Sequence, residues 1–327
     1  MSRGRWGEVQ GEVDKALDVA ERRSRCLCVS SDRTRALLAR RVHYGELVSP
    51  FPRVYARVGY WRSLDLGEQA LHVARAAAML HPDWVFCGTT AALAFGLQVS
   101  EPDPSVVHVL DTGLGHGHGG VHVVRHSVGP GSGGMPEPVR LAGIATTPLC
   151  RTIADCLHDL PMPQGLAVAD SAMHGYGLSQ DDLRAFVEDV HFSRGTRRAL
   201  DTVTWADARS ENGGESVARG TMIELGYRVP ELQVVVQNPL EPRRTYRVDY
   251  AWDKDVVRPI FGELDGYLKY FGGSPLEPLD ERVLLDERKR ESRLTLYDAA
   301  IMRFTFWEVK NRPRFDRLLA SFGVPKA

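Results

Sequence analysis

Residues 246–266 read YRVDYAWDKDVVRPIFGELDG, and this stretch decides the fold that the sequence predicts for the last third of the chain. Apolar and aromatic residues at both of its ends predict a strand over residues 244–252 and another over 257–264. Asp249 lies in the first strand, whereas Glu263 and Asp265 end the second. Because Glu263 and Asp265 are two positions apart, their side chains share one face of the sheet.

These acids have the chemistry of a metal site. Adjacent strands lie about 4.8 Å apart, so carboxylates on one face can converge on a hard cation such as Mg²⁺ or Mn²⁺. Such a cation activates water and offsets charge on a phosphodiester. We expect Asp249, Glu263 and Asp265 to bind the metal, with Glu215 joining them from the preceding helix. The alternative is that acids at strand ends are simply solvated.

Basic residues follow the acids. Lys269 comes four residues after Asp265 and is the candidate catalytic cation. The later stretch DERKRESRLTL contains Lys289 and Arg290, which we expect to contact a backbone phosphate of DNA. Pairing of opposite charges at i,i+4 on a solvated helix explains the same pattern without DNA.

The order of predicted elements after residue 209 is αβββαβα. The first helix covers residues 211–225, and strands follow at 231–237, 244–252 and 257–264. A helix over 280–297, a strand over 300–306 and a helix over 311–322 complete the predicted series.

This order and its acids resemble the PD-(D/E)XK nuclease superfamily, in particular its very-short-patch-repair-like and DUF559-like branch. The resemblance covers about residues 211–322. It implies a restriction-endonuclease-like core, a divalent metal and DNA cleavage. Asp249 and Glu263 match the paired acids of the superfamily, and Glu215 matches its helix acid. The superfamily's lysine falls two residues after the second acid, where this chain has Asp265. Either Lys269 substitutes for that lysine, or Asp265 is another metal ligand.

The N-terminal region is rich in arginine. Seven arginines and one acid, Asp32, lie between Arg22 and Arg41. Helical periodicity over residues 8–23, a second helix capped by Ser31 and Asp32, and the strand-like RVYARVG predict a winged helix-turn-helix. Its basic helix would contact DNA through four residues, Arg33, Arg35, Arg40 and Arg41.

The stretch RRVHYGELVSPFPRVYA resembles the winged-helix domain of AbiEi-type antitoxins, and CGTTAALAFGL and TTPLCRTIADCL resemble the middle region of the same architecture. The resemblance covers about residues 10–160 and implies DNA binding. The alternative is a solvated arginine-rich helix in a structural or protein-binding domain. Between the two stretches, VVHVLD and GVHVVRH predict two strands joined by the turn GLGHGHGG. Metal binding by its histidines, His116 and His118, is the less favoured interpretation.

The whole chain is therefore predicted to be an α+β multidomain protein. We expect a winged helix-turn-helix domain over residues 1–60, an α/β middle domain over 61–208 and the nuclease-like domain over 209–327. The five cysteines form no CxxC pair, which favours reduced thiols over disulfides or a zinc site. No apolar run is long enough to span a membrane, and no signal peptide is apparent, so we expect no membrane partner and a cytoplasmic location.

The function predicted from the sequence is a DNA-binding, Mg²⁺- or Mn²⁺-dependent endonuclease, in a phage-defence setting implied only by the resemblance. A non-catalytic antitoxin-like transcriptional repressor with a degenerate nuclease fold is the first alternative. An adaptor for a partner protein is the second. The sequence leaves open a homodimer, a toxin or defence partner, and the choice between DNA and RNA.

Overall fold

A computed structural model describes residues 3–111, 120–128, 136–190, 195–254, 256–265 and 293–327. These residues form two compact units. The first comprises the described part of residues 1–156 and 189–193, and the second that of residues 157–188 and 194–327. Both units combine helices with small sheets, so the α+β class is confirmed. The three-domain division, with boundaries at 60/61 and 208/209, stays a prediction.

The first unit begins with helix, strand, helix and hairpin. These elements are α1 (Arg3–Arg22), β1 (Leu27–Cys28), α2 (Asp32–His43), β2 (Leu47–Phe51) and β3 (Val54–Arg57). The strands form an antiparallel sheet in the order β1-β3-β2. Leu17, Leu38 and Leu47 are buried between the helices and this sheet. Ser31 occupies the N-cap of α2, but its side chain makes no capping hydrogen bond, so the expected cap is wrong in that detail.

The rest of the first unit packs short strands against helices. Its elements are α3 (Val58–Ser63), α4 (Leu66–Leu80), α5 (Gly88–Ala94), β4 (Val107–Asp111), β5 (Val123–Ser127), β6 (Val139–Leu141) and β7 (Ile144–Thr146), followed by α6 (Leu149–Asp159), which crosses the unit boundary. A capping box on Asp65 and Glu68 begins α4. Strands β4 and β5 pair in parallel, whereas a simple turn between paired strands would make them antiparallel. The predicted strands are therefore present in a different arrangement.

Four helices lead into the second unit's sheet. They are α7 (Met162–Tyr176), α8 (Gln180–Asp189), α9 (Thr196–Thr204) and α10 (Gly213–Glu224). Helix α10 approaches α7 so closely that a Cβ on Gly220 would lie 2.6 Å from the Cα of Pro163. Arg219 of α10 forms a buried ion pair with Asp170 of α7, at 2.5 Å. Helix α10 is therefore held firmly in place within its unit.

The sheet of the second unit has the strand order β11-β10-β9-β8. Its elements are β8 (Glu231–Gln237), β9 (Thr245–Trp252), β10 (Ile260–Asp265) and β11 (Ala300–Thr305), followed by α11 (Phe306–Lys310) and α12 (Arg312–Ser321). Strands β8, β9 and β10 are antiparallel to their neighbours, and β11 is parallel to β10. The predicted strands are confirmed. The helix expected over 280–297 falls mostly outside the described residues, and Thr295–Tyr297 is a 3₁₀ turn.

Apolar side chains pack on both faces of this sheet. Tyr250, Trp252 and Phe304 belong to one buried cluster, together with Met222 of α10 and Phe315 of α12. A second cluster contains Val248, Ala251, Phe261, Leu294 and Ala299. Within the described part of the chain, no helix is long and apolar enough to cross a membrane.

Candidate metal and nucleic-acid sites

Four polar side chains occupy successive positions across the sheet of the second unit. Glu263 of β10 pairs in register with Arg303 of β11. The β9–β10 ladder pairs Tyr250 with Gly262, and extending its register sets Asp249 opposite Glu263. On its other edge β9 pairs with β8, where Tyr250 is opposite Leu232 and Val248 is opposite Val234. Asp249 therefore lies opposite Gln233 of β8. We call Gln233, Asp249, Glu263 and Arg303 the polar row.

Asp249 lies where strands β9 and β10 separate. The backbone pairing of these strands extends to Gly262, and beyond it the Asp249 Oδ2 accepts a hydrogen bond of 2.9 Å from the backbone N–H of Leu264. A carboxylate thus replaces a backbone carbonyl at the end of the ladder. This hydrogen bond fixes the carboxylate at the edge of β10, beside the residue that follows Glu263.

Glu263 is buried and forms an ion pair with Arg303. One Glu263 Oε lies 3.3 Å from a terminal nitrogen of Arg303, whose side chain is 27% exposed. The Nε of Arg303 is buried and has no hydrogen-bond partner among the described residues. Arg303 therefore brings a permanent positive charge to the second acid of the row and keeps one donor for a further acceptor.

Glu215 lies in the first turn of α10 and is 5% exposed. Its carboxylate accepts hydrogen bonds from the backbone N–H of Glu211 (2.8 Å) and the side-chain amides of Asn212 (2.6 Å) and Gln233 (3.0 Å). Burial raises the pKa of Glu215 to about 7, and the nearby negative charge of Asp249 acts in the same direction. A bound cation at this position would relieve both effects.

Gln233 joins Glu215 to the polar row. It has a positive φ of 53° in the interior of β8, a conformation that costs free energy for a residue other than glycine. Its amide donates to Glu215, while its Oε1 is buried and has no hydrogen-bond partner within the described residues. An unpaired buried oxygen beside two carboxylates is the kind of group that a hard cation or its water ligands would satisfy.

Tyr250 ties the sheet to the helix that carries Glu215. Its buried hydroxyl donates a 3.0 Å hydrogen bond to the backbone carbonyl of Glu215. A Cβ on Gly262 would lie 3.2 Å from the Cβ of Tyr250, so the glycine of the GELDG stretch leaves room for this tyrosine. The segment around Glu263 thus also supports the position of Glu215.

The oxygen ligands available here fit Mg²⁺ or Mn²⁺ in kind. Mg²⁺ usually keeps several waters and needs one or two protein carboxylates, with substrate phosphate completing its shell. Asp249 and Glu263 are the two carboxylates of the row. No group of three or more His, Cys, Asp or Glu side chains that could hold a metal occurs within the described ranges. Asp265 is exposed opposite Thr305, and Lys269 lies outside the described residues.

The four arginines predicted to bind DNA are not equivalent. Arg35 is exposed and lies 3.4 Å from Asp32, and Arg40 is exposed with its guanidinium 5.6 Å from the ring centre of Tyr44. Arg41 is held by Asp14 at 2.7 Å and Glu46 at 2.8 Å, and its side chain is only 14% exposed. It therefore joins α1, α2 and the residue before β2. Only the backbone of Arg33 is described, and Lys289 and Arg290 lie outside the described residues.

Two residues of the polar row, Gln233 and Arg303, were not among the predicted site residues. Each interrupts an apolar strand, ELQVVVQ and AIMRFT respectively, and a polar side chain inside such a strand is the signal that could have found them. In the first unit, His108 and His126 are hydrogen-bonded to each other at 2.9 Å. His116 and His118 fall outside the described residues.

Comparisons with known proteins find distant relatives of this chain. Two uncharacterized proteins of Mycobacterium tuberculosis, one from strain CDC 1551 / Oshkosh and one from strain ATCC 25618 / H37Rv, are each 28% identical over 168 residues, 51% of this chain. The matched region spans 58% of each relative's length. No protein-family model matches the chain, and no solved structure matches it.

Proposed function

We propose that this chain is a metal-dependent endonuclease that hydrolyses phosphodiester bonds of DNA, with its active centre at the polar row. The observation that carries the proposal is the register of the four strands. It pairs Glu263 with Arg303, and extending the β9–β10 register by one residue sets Asp249 opposite Glu263. Two acids and a fixed cation on adjacent strands suit a reaction in which negative charge builds on a phosphate.

Asp249 and Glu263 would hold the divalent cation, which when bound activates a water and offsets charge on the phosphate. The hydrogen bond from Leu264 orients Asp249, and Tyr250 keeps α10 close enough for Glu215 to contribute. Glu215, with its pKa near 7, can exchange a proton close to neutral pH. These residues thus supply ligands and a proton acceptor.

The positive charge of Arg303 can replace that of the lysine which this chain lacks two residues after Glu263. Its guanidinium stays protonated at any working pH, so it can stabilise negative charge but cannot act as a base. Its buried Nε has no hydrogen-bond partner among the described residues, and such a donor suits a phosphate oxygen. We infer that Arg303 carries the electrostatic role and that Asp265, exposed at the strand end, has a smaller one.

The rival proposal is a non-catalytic DNA-binding repressor, and one contact favours it. The Arg303–Glu263 ion pair already neutralises an acid that a metal would need. In that case the polar row only stabilises the sheet, and DNA binding depends on the exposed arginines of α2. The setting in phage defence, and a toxin partner or homodimer, are proposals that rest on the sequence resemblance alone.

A plasmid-nicking assay separates the two proposals. We expect supercoiled plasmid to be nicked with Mg²⁺ or Mn²⁺, and Asp249→Ala to lower the rate by roughly 10²-fold or more. Glu224→Ala is the matched control, because Glu224 is an exposed acid paired with Arg312 at the other end of α10, outside the row. Wild-type protein that nicks with neither metal, yet binds DNA, would support the repressor instead.

A further inference from the structure

The first unit contains a cavity of about 460 Å³ beside the turn between β2 and β3. Phe51 and Arg53 border it at the turn, His81 and Trp84 border it after α4, and His122 borders it before β5. Its volume lies within the range of small-molecule sites, about 300–1,000 Å³. The cavity is not part of the polar row, which belongs to the other unit.

Flat aromatic rings form the walls of this cavity. His81 and Trp84 are stacked, with ring centres 3.9 Å apart and planes 8° from parallel. Phe51 and His122 meet edge to face at 5.7 Å. Leu80 adds an aliphatic surface. Such walls favour a planar aromatic ligand, because stacking on aromatic rings needs a flat partner.

Two arginines lie at or near the same cavity. Arg53 is exposed at the turn, where a positive φ of 63° and a hydrogen bond from Val29 N–H to its carbonyl fix its backbone. Arg125 lies 5.9 Å from the centre of the Trp84 ring. Burial and the charges of Arg125 and Arg53 lower the pKa of His81. Among the described residues that line the cavity, none is acidic.

We propose that this cavity binds a nucleotide, with the base stacked against the aromatic walls and the phosphate held by Arg53 and Arg125. A ligand with a flat ring and an anionic group fits both the aromatic walls and the two arginines. The nucleotide comes either free or as an unpaired residue of a DNA strand. The proposal holds whether or not the polar row cleaves DNA.

Calorimetric titration of the full chain with AMP tests this assignment, with EDTA present so that no DNA is cleaved. Adenosine and inorganic phosphate probe the two halves of the ligand, and a short oligothymidylate probes the strand. We expect AMP or the oligonucleotide to bind more tightly than adenosine or inorganic phosphate. Binding of both ligands or of AMP alone indicates a free nucleotide, and binding of the oligonucleotide alone indicates DNA.

Two variants locate the binding. Trp84→Leu should weaken it by roughly ten-fold or more, because Trp84 supports the His81 ring by stacking and has Arg125 over its ring. Arg53→Gln should weaken AMP and leave adenosine unchanged, and because Arg53 is exposed this variant should fold even if Trp84→Leu does not. Trp307→Leu is the matched control, since that exposed tryptophan also lies beside an arginine, at 4.9 Å. Absence of binding at millimolar ligand, or binding that both cavity variants leave unchanged, would overturn the proposal.

Discussion

Helices α2 and α10 are both twelve residues long, yet they use charge in opposite ways. Among the described side chains of α2, the charged ones lie mainly on the solvent side, and Leu37 and Leu38 are buried. In α10 every residue from Gly213 to Met222 is buried, including the charged Glu215 and Arg219. A buried charge needs defined partners, whereas an exposed charge is solvated by water and can change its position at little cost in free energy.

Because of this difference, single substitutions test the role of a charge more sharply in α10 than in α2. Each charge of α10 has named partners: Arg219 holds Asp170, and Glu215 accepts from Asn212 and Gln233. Their positions are therefore specific and open to single-residue tests. If the exposed arginines of α2 contact DNA, they would act together, so DNA affinity should follow their number rather than any one residue.

The largest effect on the free energy of unfolding should come from removing Glu215, the buried acid of α10. Because the folded pKa of Glu215 is raised, the native chain binds a proton that the unfolded chain releases as pH rises above about 4.5. The free energy of unfolding should therefore fall as pH rises from about 4.5 to about 7, by on the order of 3 kcal/mol. Glu215→Gln should remove this dependence, measured by urea denaturation at several pH values.

Glu224→Gln serves as the control for that experiment, because Glu224 is an exposed acid at the other end of α10, in an ion pair with Arg312. It should leave the pH dependence as in the wild type. A Glu215→Gln chain that keeps the full pH dependence would mean that Glu215 is not the titrating group.

The close approach of α10 to α7 gives the next effect. Gly220→Ala puts a Cβ 2.6 Å from the backbone of Pro163, so a helix must shift, and unfolding should become easier by about 1–3 kcal/mol. Gly175→Ala is the matched control in α7. A Cβ there meets nothing within 4 Å, so alanine should be neutral or stabilise by up to about 1 kcal/mol. Equal thermal stability of the two variants would contradict the packing.

In α2 we expect a smaller and shared effect. Arg35→Ala and Arg40→Ala should each lower the slope of log affinity against log salt by about 1 in a DNA-binding titration, because each removes one phosphate contact. Arg41→Ala should instead lower stability, since it leaves Asp14 and Glu46 without their partner. Slopes unchanged in both exposed variants would place the DNA contact elsewhere.

Much of the second unit could be predicted from sequence, because its strands are local patterns. Alternation and apolar ends located β8, β9 and β10 within a few residues of their observed bounds. The three acids were found for the same reason, since Asp249, Glu263 and Asp265 stand out at strand positions.

What the sequence could not supply were pairings between distant elements. Arg303 meets Glu263 only because β11 runs parallel to β10 and in register with it. Helical periodicity likewise could not predict that Arg41 is held in ion pairs while its neighbour Arg40 is exposed. That difference arises because Asp14 of α1 and Glu46 lie beside Arg41. The parallel pairing of β4 with β5 was missed because a glycine-rich stretch between two strands reads as a turn.

A calorimetric titration of Mn²⁺ into wild-type protein and into Asp249→Asn tests most directly whether the polar row is a metal centre. Asparagine keeps an acceptor for the Leu264 N–H but removes the charge that a cation needs. We predict one Mn²⁺ bound by the wild type and at least ten-fold weaker binding by the variant. Equal binding by the two proteins, or none by either, would contradict a metal centre at the polar row.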